Sequence, residues 1–178
     1  MHDHTCLIFD STTEFFHCMI PFIREGIKNN EKCFVVIDEI TREEVLSTFK
    51  KIFREGIIPP EELNNDKHIV IENFKNIYLP DGKFDMDRTI SSYIKTVDDA
   101  IKDGYTGVRV FAEVSTFLSG LNGKECFLNW EAFADQYFFH HNFIAVCAYN
   151  KKYLASEDHI SRTIKVHPIE IDIIKTRL

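Results

Sequence analysis

The stretch CLIFDSTTEFFHCMIPFIREGI, residues 6–27, decides the fold. It opens on a short apolar run, passes through the polar turn Asp10-Ser11-Thr12-Thr13, and continues with Phe15, Met19, Phe22, Ile23 and Ile27 at helical spacing. A continuous apolar run of this length reads as a strand buried on both faces, and the period that follows it reads as a helix. In many nucleotide-binding proteins such a strand and helix are joined by a glycine-rich, lysine-bearing loop, because clustered backbone N–H groups and an ammonium hold phosphates. Residues 10–13 contain neither glycine nor lysine. The first crossover therefore lacks the donors to grip a triphosphate, and the cleft it borders is expected to recognise something else.

Working outward, the same alternation repeats. The first strand is expected over Thr5–Phe9 and the first helix over Thr13–Lys28, with Thr12 or Thr13 as cap and Pro21 as a candidate kink. CFVVID, 33–38, reads as strand two. TREE, 41–44, then opens a helix with Thr41 and Glu44 spaced as a capping box. HIVIEN, 68–73, is strand three; a longer connection turning at Pro80-Asp81-Gly82 leads to a helix that Asp85 or Asp87 opens and that runs to Lys102. GVRVFAEV, 107–114, and FIAVCAY, 143–149, are strands four and five, with a helix over 123–139 between them that puts Phe127, Trp130, Ala134 and Tyr137 on one side. Ser156 caps a last helix to Val166, and IEIDII, 169–174, alternates like a half-exposed strand at a sheet edge. Strand and helix in alternation predict an α/β, three-layer sandwich with a mostly parallel sheet, in one domain over 1–178.

Composition narrows the function classes. Of 178 residues, 44% are apolar, which argues against global disorder, and the net charge of −7 opposes both a nucleic-acid groove and an anionic membrane surface. No apolar stretch reaches the roughly 20 residues that span a bilayer, and the start of the chain does not resemble a signal peptide. The five cysteines, Cys6, Cys18, Cys33, Cys126 and Cys147, are not closely spaced; buried free thiols in a reducing cytoplasm are expected. The 16 phenylalanines fit either a Phe-rich interior or an aromatic ligand pocket.

Ligands of open α/β sheets sit beyond the carboxyl ends of the strands. The polar residues delivered there are Asp10, Ser11 and Thr12; Asp38 and Glu39; Glu72 and Asn73; Glu113 and Ser115; and Tyr149 and Asn150. Helix capping accounts for such residues one at a time. Glu113 differs, because it interrupts the apolar run VFAEVSTF and must lie at the surface end of its strand or be buried with a partner. Arg109 shares its strand face and is either that partner or the exposed start of the strand. Several carboxylates at one mouth repel a phosphate unless a hard divalent cation intervenes. Lys124, in SGLNGKE, does not complete a phosphate-loop pattern and reads as a turn before a helix. His2, His4 and Cys6 alternate along the start of the chain, forming either one face of a metal or ligand contact or an unanchored terminus; no metal is assigned. His140-His141 read as a helix end. Cys6 and Asp10, roughly 13 Å apart along an extended strand, cannot form a compact nucleophile triad with His4, and no G-x-S-x-G elbow is present.

With these residues in view, the chain resembles the MEDS family, the methanogen/methylotroph DcmR sensory domains. The stretches that carry the resemblance are HDHTCLIFDSTTEFFHCMIPFIREGIKNNEKCFVVIDE (2–39), IYLPDGKFDMDR (77–88), GYTGVRVFAEVSTFLSG (104–120), CAYN (147–150) and VHP (166–168). The resemblance implies a RecA/KaiC-like core with a degenerate phosphate loop and a sensory role toward small hydrocarbon derivatives. It places His4, Cys6, Glu113, Cys147, Tyr149 and His167 at the family's motifs, and Asp38 and Glu39 at the position of the water-activating pair of KaiC-like ATPases. The expected ligand-binding set is therefore His4, Cys6, Asp10, Asp38, Glu39, Glu113, Cys147, Tyr149 and His167. The function it implies is non-catalytic, cytoplasmic sensing of a small organic molecule, with no cofactor assigned. The alternative is a divergent nucleotide-binding protein or NTP hydrolase. Many such domains are joined to an output domain, whereas here Leu178 follows soon after the last motif, so the expected output runs through a partner protein or self-association.

Overall fold

In the computed structural model, which describes residues 3–54, 68–115, 129–134, 142–154, 162–165 and 169–170, strands and helices alternate as the apolar pattern requires. Strands are β1 (Asp3–Phe9), β2 (Lys32–Ile37), β3 (Ile69–Asn73), β4 (Val108–Glu113), β5 (Phe143–Asn150) and β6 (Ile169–Glu170). Helices are α1 (Thr12–Lys28), α2 (Arg42–Arg54), α3 (Phe74–Tyr78) and α4 (Met86–Lys102), and residues 129–134 and 162–165 are also helical. All strands pair in parallel, in the order β3-β2-β4-β5-β1-β6, which makes a six-stranded sheet. Within the IEIDII stretch, Ile169 and Glu170 form the edge strand beside β1.

The sheet has a core on each face, as a parallel sheet covered on both sides must. On one side Leu7, Phe9, Val35, Ile37, Phe111 and Val146 pack with residues of α1 and α2. The phenylalanines concentrate here: Phe15 meets Phe9, Phe16 and Phe111 edge to face, at ring separations of 5.3, 5.6 and 5.1 Å. On the other side Cys6, Val110, Ala112, Ala145, Cys147 and Tyr149 pack with α3, α4 and the 129–134 turn. Tyrosine and tryptophan are the prominent aromatics of that second core.

Local chemistry explains the boundaries. Ser11 caps α1, its Oγ accepting the Glu14 N–H, and Asn30 takes the left-handed backbone, φ 56°, just past the last turn. At α2 the capping box is complete: the Thr41 Oγ1 accepts the Glu44 N–H, and the Glu44 carboxylate accepts the Thr41 N–H at 2.8 Å. Asp85 caps α4. Gly26 lets α1 lie close to the sheet, since a Cβ there would stand 2.5 Å from the Cys33 Sγ. Arg109 does not partner Glu113. Its Nε donates to the Glu31 carboxylate at 2.7 Å, and its guanidinium lies 4.7 Å from the Phe22 ring centroid. Arg109 sits at the amino-terminal half of β4, and α1 closes over that half of the sheet, so the nearest carboxylate is the one just before β2.

The central position of Phe111, fully buried against Phe15 and Phe22, sets an expected outcome. Phe111→Ala should lower the free energy of unfolding by about 3–5 kcal/mol, whereas Phe133→Ala, at a 39% exposed position, should stay within about 0.5 kcal/mol of wild type. Urea unfolding followed by circular dichroism measures both.

Candidate functional site

The register of β1 against β5 builds the site. Cys6 is paired with Cys147 and His4 with Ala145, so side chains two apart on each strand project from the same face. His4, Cys6, Cys147 and Tyr149 all point into the core that the 129–134 turn covers, and all four are buried. From that turn Glu131, which has no solvent exposure, reaches the strands. Its Oε2 lies 3.0 Å from the His4 Nε2 and 3.4 Å from the Cys147 Sγ, and its Oε1 accepts the Tyr149 hydroxyl at 3.0 Å. The His4 Nε2 and Cys147 Sγ are 3.4 Å apart. One carboxylate thus gathers three buried polar side chains from two adjacent strands.

Burial pushes the Cys147 thiol and the Tyr149 phenol well above their ordinary pKa values, and the Glu131 carboxylate beside them adds to the shift. Both groups therefore hold their protons at neutral pH and act as donors to Glu131. Beside the cluster, Tyr78 and Tyr93 share a hydroxyl–hydroxyl hydrogen bond of 2.8 Å, and the Trp130 ring stacks on Tyr93 at 6.4 Å. Together with Phe143, Ala112 and Val110 these rings wall a cavity of about 20 Å³ whose polar end is formed by His4, Glu131 and Cys147. That volume admits one or two water-sized groups.

The other expected residues lie elsewhere. Glu113 is buried at the end of β4, and its Oε2 accepts three backbone N–H groups, those of Asp38, Glu39 and Ile40, each at 3.0 Å. It therefore organises the turn after β2 and is apart from the His4 cluster. Asp38 and Glu39 line a solvent-open cleft of about 450 Å³ with Arg42, Glu72 and Asn73, at the carboxyl ends of β2 and β3. The Glu39 carboxylate is bonded to Lys152 and to the Tyr153 hydroxyl; partial burial alone would raise its pKa, but these partners hold it below the usual value. Asp10, exposed after β1, pairs with Lys151 at 3.4 Å. His167 lies outside the described residues, as do Lys124, Cys126 and His140-His141. The described cysteines, Cys6, Cys18, Cys33 and Cys147, are all buried free thiols.

The cluster thus unites His4, Cys147 and Tyr149 with Cys6 on the same face, and adds Glu131, which is not among the residues expected from sequence. A signal was present. Glu131 falls among Phe127, Trp130 and Ala134, at the i, i+3, i+4, i+7 positions of one helix face, where a carboxylate has to find polar partners when the face is buried.

The first crossover is also filled by the protein itself. At the amino end of α1, where a phosphate would sit, the Glu14 carboxylate accepts the Asp10 N–H at 2.8 Å and Ser11 takes the Glu14 N–H. The turn has no glycine or lysine by sequence, and its Asp10 N–H is already taken by an acidic side chain.

The Glu113 arrangement carries a pH dependence. Burial raises its pKa, the three N–H donors pull against that shift, and the Asp38 charge adds to it. Its Oε1 is buried with no hydrogen-bond partner among the described residues and is the oxygen on which a proton is accommodated. A folded-state pKa above the unfolded one means the folded chain holds the proton more tightly. The associated stability is present below the ordinary carboxylate range and is lost as pH rises through the folded value. Urea unfolding between pH 4 and pH 8 should show this decline in the wild type, and Glu113→Gln should flatten it. Glu113→Ala, which strands three N–H groups, should cost about 3 kcal/mol or more at neutral pH.

Comparison with solved structures finds a crystal structure of a KaiC-like protein from the hyperthermophilic archaeon Pyrococcus horikoshii OT3, with a TM-score of 0.56 and 11% sequence identity. The match covers 82% of this chain and 60% of that one, so it shows the fold: a RecA-like α/β architecture shared with a longer protein. No curated protein matches the chain in sequence. Among the described residues no helix is long and apolar enough to cross a membrane. The sequence model of the MEDS family, described as the methanogen/methylotroph, DcmR sensory domain, matches residues 3–168. With nearly the whole chain matched, and the fold and the β1–β5 site as described, the protein belongs to the MEDS family of sensory domains.

Proposed function

We propose that the chain is a non-catalytic signal-input domain that recognises a small organic molecule of the hydrocarbon-derivative class. The observation that carries this reading is the cavity between the sheet and the 129–134 turn. Tyr78, Tyr93 and Trp130 supply apolar walls, and His4, Glu131 and Cys147 converge at one end. Binding pockets combine an apolar lining with a few placed polar groups in this manner. At about 20 Å³ the cavity is small, so a ligand of more than a few atoms enters only as its walls move outward. The wall bearing Trp130 and Glu131 is tied to β1 and β5 through polar bonds, and their exchange for ligand contacts would favour a second arrangement. The output of that shift is association with a signalling partner or with a second copy of the chain.

The rival reading is a divergent nucleotide hydrolase. In its favour are the KaiC-like fold and the placement of Asp38 and Glu39 beside the cleft after β2. Against it stands Glu14, whose carboxylate occupies the amino end of α1.

Trp130 is the sole tryptophan and lines the cavity, so intrinsic fluorescence reports on this site directly. Titration with small halogenated, methylated and aromatic compounds should give a saturable change with at least one of them. Ala112→Leu, which fills the cavity from β4, should abolish that change while the chain stays folded. The absence of any response, together with tight magnesium–ATP binding and phosphate release lost in Glu39→Gln, would reverse the ranking. Light scattering with and without the responding compound measures the associated change in assembly.

A further inference from the structure

The three ligating atoms at the polar end of the cavity have a geometry that hydrogen bonding alone does not require. The His4 Nε2, Glu131 Oε2 and Cys147 Sγ form a triangle with edges of 3.0, 3.4 and 3.4 Å. They are the one group of three or more His, Cys, Asp or Glu side chains among the described residues that is placed to hold a metal ion, and all three members are buried. From ordinary zinc–ligand bond lengths, a tetrahedral ion needs edges of roughly 3.4 Å between nitrogen and oxygen and roughly 3.6 Å to sulfur. Movements of a few tenths of an ångström convert one arrangement into the other.

We propose that His4, Glu131 and Cys147 form a binding site for a single zinc ion, with a fourth coordination position open to the tyrosine-walled cavity. The donor set is one imidazole nitrogen, one carboxylate oxygen and one thiolate. That mixture suits a borderline-soft ion with tetrahedral preference and does not suit magnesium or calcium, which take oxygen ligands. The charges balance. A neutral imidazole, a carboxylate and a thiolate offset the two positive charges of the ion, and the thiol proton released on coordination passes to the solvent. The Tyr149 hydroxyl, bonded to the second Glu131 oxygen, orients the carboxylate from behind. All three ligating residues line the cavity, whose volume of about 20 Å³ accommodates a water molecule at the fourth position. Three protein ligands with one open position is the pattern of sites that exchange a ligand, whereas purely structural zinc sites are closed by four. This inference goes beyond the sensing reading and stands without it, because the ion binds whether or not an organic ligand does.

The test uses the full chain, stripped of metal with a chelator that is then removed. Titration with cobalt(II) should saturate at one ion per chain, with a thiolate-to-cobalt charge-transfer band in the near ultraviolet. Cys147→Ser should remove that band, whereas Cys18→Ser, which alters a thiol in the opposite core, should leave it intact. Competition against a chromophoric chelator should show zinc affinity lowered about 10-fold in Tyr149→Phe, and by about 100-fold or more in His4→Gln, which loses a ligand outright. His4→Gln also supplies the readout should Cys147→Ser fail to fold, as judged by circular dichroism. Binding well below one ion per chain overturns the proposal. So does a cobalt band that survives in folded Cys147→Ser, or zinc affinity unchanged in His4→Gln. Any of these would mean that the cluster is hydrogen-bonded only.

Discussion

The parallel pairing of β1 with β5, from Asp3 against Ile144 to Phe9 against Asn150, is the constraint on which the rest depends. It seats the first strand next to the last of the central ones, and it fixes which residues share a face. A slip of one residue in that register would turn His4 and Cys6 toward the phenylalanine core and replace them with Thr5 and Leu7. Because both faces of the sheet are buried, such a slip would place a histidine among Phe9, Phe15 and Phe111, without Glu131 to meet it. The polar cluster and the apolar core therefore specify the same register.

Two carboxylates buried in the described chain serve different ends. Glu113 is satisfied by backbone donors of a single turn, so it fixes the position of the segment after β2 and leaves that cleft without free donors on the turn. Glu131 is satisfied by side chains from two strands, which makes its environment dependent on tertiary contact across the sheet and the covering turn. Local satisfaction suits an architectural role, and satisfaction by side chains that can exchange partners suits recognition. The RecA-like fold thus carries a Glu14 carboxylate on the Asp10 N–H at its first crossover, and a cavity lined by His4, Glu131 and Cys147 on the sheet face beneath Trp130.

Much of the fold was legible because its signals are local. Continuous apolar runs marked β1 to β5, the Thr41–Glu44 spacing marked the start of α2, and the Asp85/Asp87 pair marked that of α4, where the structure selects Asp85 as the cap. The short helix α3 leaves no mark in the sequence, since FKNIY is too brief to show a helical period and Pro80 follows soon after it. Arg109 shares a strand face with Glu113, but the carboxylate that reaches it, Glu31, comes from the residues before β2. Nothing in the spacing of residues 31 and 109 signals that contact.

The candidate site divides in the same way. The family resemblance singled out His4, Cys147 and Tyr149; sequence by itself determined that the first crossover has no phosphate-gripping loop, that strands and helices alternate, and that Cys6, Cys147 and Tyr149 fall in apolar runs that read as strands. These are statements about residue identity and short-range period, and they require no knowledge of which strands are neighbours. Only the tertiary structure decided that β1 lies against β5 and that Glu131 descends between them. It also separated Glu113 from that cluster, turning it to the Phe111 face of β4 although its backbone pairs with Ala148 of β5, and it set Asp38 and Glu39 in the turn after β2. Strand order is set by the summed packing of both cores and by crossovers whose length permits several arrangements. The meeting of residues 4, 131 and 147 is therefore a property of the folded whole, with no counterpart in any single stretch of the chain.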